Sequence, residues 1–87
     1  MDIEELRKEI DSIDNKIISL LSKRKHLIKK IAETKKELHK PIFDREREAQ
    51  LLKRIKALSK EEGLDKDYIQ SIYEIILKDS REKQKNI

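Results

Sequence analysis

The chain has no cysteine and no tryptophan, and only one glycine, one proline, one phenylalanine and two tyrosines. Without cysteine there can be no disulfide, thiolate metal site or cysteine nucleophile. With so few aromatics, the core of these 87 residues must be built from isoleucine and leucine. A single glycine and a single proline leave few places for a helix to break. No apolar run approaches the roughly 20 residues of a membrane-spanning helix. The start, Met1-Asp2-Ile3-Glu4-Glu5, is too acidic for a signal peptide. The expectation is one cytoplasmic domain over residues 1–87, near the size at which a lone core is marginal, with no room for a fused second enzyme.

What the chain does have is charge: 46% of residues are Asp, Glu, Lys or Arg, with a net charge of +4. The signs are interleaved along its length. Residues 1–38 carry 10 basic and 8 acidic groups, 39–64 carry 7 and 5, and 65–87 carry 5 and 5. That pattern suits solvated helix faces and argues against a phosphate-tracking stripe, so no nucleic-acid partner is expected.

Three helices account for the patterning, giving an all-α fold class. Asp2 caps the first, and Glu5 three residues on completes a capping box. Helix 1 then runs uninterrupted over about 3–38 to His39-Lys40-Pro41, where proline disfavours helix. Asp44 caps helix 2, about 45–62, with Leu51, Leu52, Ile55 and Leu58 on its inner face. Gly63 fits the left-handed position that ends a helix, with Leu64 as its hydrophobic follower. Asp65 caps helix 3, about 66–84, with Ile69, Ile72, Tyr73, Ile76 and Leu77 inward.

Helix 1 is too long for a lone chain. At 1.5 Å per residue it spans about 54 Å, whereas a compact chain of this size has a diameter of roughly 30 Å. Its apolar residues, Ile3, Leu6, Ile10, Ile13, Ile17, Leu20, Leu27 and Ile31, recur in steps of three and four. Half of that seam would be bare. A two-fold homodimer with antiparallel long helices covers it.

The same three-four step lands on Arg24, where a hydrophobe is due. A guanidinium in an apolar seam is costly unless something negative meets it. Lys35 follows 11 residues later, almost three turns, and so faces the same way. Arg7 precedes Arg24 by 17 residues, about 25 Å along the rod, too far to share one small ligand within a chain. In an antiparallel pair, Arg7 of one copy approaches Arg24 of the other. Glu48 belongs to the inner stripe of helix 2, with Arg47 beside it. The helix 3 stripe continues through Ser80 to Gln84. Cations, a carboxylate and an amide from three helices could thus line a pocket for a small polyanion, since arginine reads carboxylates with a bidentate fork. Each residue is also compatible with a plain structural role. Arg24 can snorkel or pair with an acid of the second chain. Arg7 and Lys35 can simply flank the seam, Glu48 can serve the helix dipole, and Ser80 and Gln84 can belong to a fraying end. His26 and His39 have no ligand spacing, and no metal ligands are evident.

The sequence resembles the all-helical (AroQ-type) chorismate mutases in their stand-alone form. The resemblance runs from Glu5 to Gln84. It rests on Leu6-Arg7-Lys8-Glu9-Ile10 with Ile13-Asp14, Leu20-Leu21-Ser22-Lys23-Arg24, and Lys35. It continues through Pro41-Ile42-Phe43-Asp44-Arg45-Glu46-Arg47-Glu48 and Ile75-Ile76-Leu77-Lys78-Asp79-Ser80 to Gln84. It implies an intertwined dimer of three-helix chains and conversion of chorismate to prephenate, without cofactor, for phenylalanine and tyrosine synthesis. It further implies that Arg7, donated across the dimer, and Arg24 hold the two substrate carboxylates. Lys35 and Gln84 would bond the ether oxygen, and Glu48 and the Asp44 amide the ring hydroxyl. Arg47 and Ser80 would complete the polar shell, with Ile31, Leu51 and Leu77 as apolar walls. An isochorismate pyruvate lyase, with the same fold and similar cations, is the enzymatic alternative; a helical dimerisation or regulatory module is the other.

Overall fold

The computed structural model describes residues 1–86. Three helices are present, α1 (Ile3–Glu37), α2 (Arg45–Glu61) and α3 (Lys66–Lys85), and no strand occurs among the described residues. Each starts on an aspartate. Asp2 and Glu5 form the reciprocal capping box, with Asp2 Oδ1 accepting from the Glu5 amide at 2.9 Å and Glu5 Oε2 accepting from the Asp2 amide at 3.2 Å. The Asp44 carboxylate accepts from the Arg47 amide at 3.0 Å, and that of Asp65 from the Asp67 amide at 2.9 Å. Two donors that the first turn would otherwise leave bare are satisfied this way in α2 and α3.

Both interhelical turns close by the same device. After α2, Gly63 takes a left-handed φ of 71°, its amide donates to the Lys60 carbonyl, and the Leu64 amide reaches back to the Ser59 carbonyl at 2.8 Å. After α1, the Lys40 amide donates to the Lys35 carbonyl at 2.8 Å and the His39 amide to that of Lys36. These are paired Schellman bonds. In the α1 turn the left-handed residue is not glycine but His39, at φ 55°.

α3 is the central element: it packs against both α1 and α2. Between α2 and α3 lies a small core of Leu51, Ile55 and Leu77, flanked by Leu52, Ile69 and Tyr73. The inner row of α2 is Leu51, Ile55 and Ser59, each four residues from the last. Leu58, expected inside, is 47% exposed, and Ser59 takes the buried place with its hydroxyl satisfied by the Ile55 carbonyl at 2.6 Å. A serine that bonds back into its own helix can be buried without an orphaned donor.

α1 presents two stripes. One is short: Arg24, Ile28, Ala32 and Lys35 are buried or half-buried and face α3. The other is the long apolar seam from Ile3 to Ile31, whose eight members remain 44 to 62% exposed. The molecule is accordingly extended, measuring 55 × 24 × 15 Å, with a radius of gyration of 16.1 Å against about 12 Å for a compact chain of this length. Monomeric proteins rarely leave so long an apolar strip uncovered.

A cationic cavity at the meeting of three helices

The C-terminal end of α1, the first turns of α2 and the last turns of α3 enclose a cavity of about 250 Å³. Seven of the eight polar residues selected from the sequence line it: Arg24, Lys35, Asp44, Arg47, Glu48, Ser80 and Gln84. Ile31, Leu51 and Leu77 supply apolar wall, as expected, joined by Ile28 and Ile42.

The cations are held from behind. Lys35 Nζ donates to the Ile42 carbonyl at 2.7 Å and to Gln84 Oε1 at 3.0 Å. An ammonium has three protons, so one remains for a ligand. With its carbonyl oxygen committed to Lys35, Gln84 keeps its amide NH2 group for donation. Arg24 Nη1 donates to Ser80 Oγ, and the Ser80 hydroxyl in turn donates to the Ile76 carbonyl at 2.8 Å. Ser80 and Gln84 are buried, at 6% and 8% exposure. A fraying helix end would leave both in water.

Charge in the cavity is unbalanced. Glu48 is paired, its Oε1 accepting from Arg81 Nη1 at 2.5 Å, and the Asp44 side chain is occupied capping α2. Arg24, Lys35 and Arg47 form no ion pair among the described residues. Three cations without an ion-pair partner around one small concavity suit an anionic ligand with more than one negative charge.

Arg7 stands apart. It lies on the N-terminal part of α1, 64% exposed in its side chain and paired with Glu4 at 2.8 Å. Within one chain nothing brings it to the cavity. A second hollow of about 480 Å³ lies between α1 and α3, lined largely by Ile18, Leu21, Ile28, Ile75 and Ile76. It shares Arg24, Ile28 and Ser80 with the first cavity, so the Arg24 guanidinium sits between the polar pocket and an uncovered apolar face.

Sequence reasoning missed Arg81. It lies four residues after Leu77 and three before Gln84, so it shares their helix face, and that spacing was open to reading. Besides holding Glu48, it places its guanidinium carbon 5.4 Å from the centroid of the Phe43 ring.

An all-helical chain that gathers unpaired cations over apolar walls offers a site suited to a small polyanion. The chain belongs to the chorismate mutase type II family, whose family model matches residues 6–85, and is an isomerase of the chorismate mutase class. It is 42% identical over 81 residues to a chorismate mutase of Methanocaldococcus jannaschii, covering 93% of this chain and 82% of that protein. It is 36% identical over 75 residues to the bifunctional chorismate mutase/prephenate dehydratase of Escherichia coli, covering 86% of this chain and 19% of that one. The chain thus spans about a fifth of that bifunctional relative. A solved conserved hypothetical protein from Pyrococcus furiosus superposes with a TM-score of 0.75 at 44% identity, covering 94% of this chain and 93% of that one. Among the described residues no helix is long and apolar enough to cross a membrane.

Proposed function

We propose that the cavity binds chorismate and carries its rearrangement to prephenate, within a homodimer whose second copy contributes Arg7 to each site. The observation that carries this reading is the trio of unpaired cations, Arg24, Lys35 and Arg47, around a pocket that also holds the Gln84 amide. Chorismate is a dianion with two carboxylates, an ether bridge and a ring hydroxyl. The pocket offers a group suited to each.

The reaction is a pericyclic shift within one molecule, so it needs no nucleophile or general base. Catalysis reduces to two tasks. The first is to hold the enolpyruvyl arm over the ring, which converts a floppy substrate into a near-attack conformer. Arg24, with Arg7 of the second copy and Arg47, would grip the carboxylates for this purpose. The second is to stabilise charge growing on the ether oxygen as the C–O bond opens. Lys35 has one proton left after bonding Ile42 and Gln84, and Gln84 has its NH2 group, so both can donate to that oxygen. Glu48, with one oxygen held by Arg81, would accept from the ring hydroxyl with the other, beside the backbone amide of Asp44.

The dimer follows from the exposed seam. If two α1 rods lie antiparallel with Arg7 opposite Arg24, the two-fold axis passes between residues 15 and 16, at the middle of the Ile10–Ile13–Ile17–Leu20 segment.

Incubating the purified chain with chorismate should yield prephenate, identified by its acid conversion to phenylpyruvate. Release of salicylate and pyruvate from isochorismate, with chorismate untouched, would instead assign the pocket to the lyase. Turnover of neither would leave a dimerisation module.

A further inference from the structure

No contact with the substrate is assigned above to Arg81, although it lines the cavity. Its guanidinium joins three segments: it extends from α3, donates to Glu48 in the first turn of α2, and lies over Phe43 in the α1–α2 connection. That connection also supplies the Ile42 carbonyl that anchors Lys35. The pair is half-buried, with side-chain exposures of 33% for Arg81 and 20% for Glu48. Glu48 poses a difficulty for the proposed ligand. A carboxylate in the wall of a pocket for a dianion repels it, and a glutamate side chain unconstrained at its tip has no fixed aim.

We infer that Arg81 is a positioning residue. It pins one oxygen of Glu48 so that the other is aimed into the pocket for the ring hydroxyl, and its charge offsets the repulsion between Glu48 and the dianion. This inference rests on the reading of the cavity as a chorismate site. It concerns a residue that touches Glu48 and not the reacting atoms.

The test is a double-mutant cycle on the full chain with Arg81→Met, Glu48→Gln and both together, with Arg81→Lys alongside. Steady-state kinetics with chorismate are read at fixed pH and ionic strength, and helical circular dichroism reports folding. Arg81→Met should lower kcat/KM about tenfold to a hundredfold, the worth of a hydrogen bond to a charged group, mainly through KM. Glu48→Gln should impair the native chain yet improve the Arg81→Met variant, because it removes the uncompensated charge while keeping an acceptor. That reversal of sign is not expected of a residue that merely ties α3 to α2. Arg81→Lys should stay within about tenfold of the native kcat/KM, since the ammonium keeps the charge although not the guanidinium's fork or its place over Phe43. Losses that simply add, or an Arg81→Met chain indistinguishable from native, would overturn the role. If Arg81→Met does not fold, the lysine variant decides alone: a loss of tenfold or more also overturns it. A native chain inert toward chorismate rejects the reading of the cavity; an active native chain without the sign reversal rejects only the assignment of Arg81.

Discussion

Lys35 Nζ and Gln84 Oε1 lie 3.0 Å apart, joining the last turns of two helices across 49 residues of sequence. The contact orients both groups. The lysine holds the amide by its oxygen, so the amide presents its protons, and the Ile42 carbonyl takes a second lysine proton from the other side. Two donors converge with little freedom left to lose on binding, which is the condition for electrostatic stabilisation of a developing charge.

Removal of the lysine should therefore act on the chemical step. Lys35→Ala is expected to lower kcat by about 10²–10³, or about 3–4 kcal/mol, as the loss of a single oxyanion donor does. Saturating chorismate assays check it. Native kcat in the variant would refute the assignment.

Gln84 carries a prediction about pH. A neutral amide donates at any pH, so native activity should be nearly flat between mildly acidic and mildly basic conditions. Gln84→Glu places a carboxyl group there, which donates only when protonated and otherwise forms an ion pair with Lys35. Activity of that variant should be highest at low pH and fall as pH rises. A pH–rate profile that keeps full activity at pH 8 would show that residue 84 is not at the ether oxygen.

Arg7 and Arg24 can be tested together by subunit mixing. Arg7→Ala and Arg24→Ala should each be strongly impaired as homodimers. Refolded together in equal amounts, they should regain about a quarter of native activity, because half the dimers are mixed and each mixed dimer has one intact site. Sites completed within a single chain would regain nothing. Activity after mixing, with mass from sedimentation equilibrium, separates the two.

His39 gives a prediction about stability. It adopts the left-handed conformation in which the matching turn uses Gly63. An L-residue with a β-carbon costs about 1–2 kcal/mol there, so His39→Gly should raise stability by about 1 kcal/mol, partly offset by the greater entropy of glycine in the unfolded chain. Denaturant unfolding at matched protein concentration reads this; a lower midpoint would contradict it.

The helices and their caps were legible because aspartate caps, a single glycine and a single proline punctuate the chain with little ambiguity. The polar interruptions at Arg24, Glu48, Ser80 and Gln84 were legible too, since a charge or amide in an apolar stripe is costly without a task. What periodicity hid was the division of labour on α1. Its strongest apolar repeat marks the exposed seam, whereas α3 packs on the short row of Arg24, Ile28, Ala32 and Lys35. Ser59 was hidden for a related reason. A hydroxyl that bonds its own helix counts as polar in sequence and behaves as a small filler in place. Arg81 was overlooked because the chain is rich in exposed basic residues: its place on the face of Leu77 and Gln84 was readable, but its pairing with Glu48 and its seat over Phe43 were not.

A 35-residue rod with one apolar edge left open has a kinetic consequence. If that edge is closed by a second copy, structure formation and pairing are one bimolecular event, and no stable solitary species precedes it. Refolding should then be second order, speeding up in proportion to protein concentration. Extreme dilution should erode turnover per molecule, with no inhibitor present.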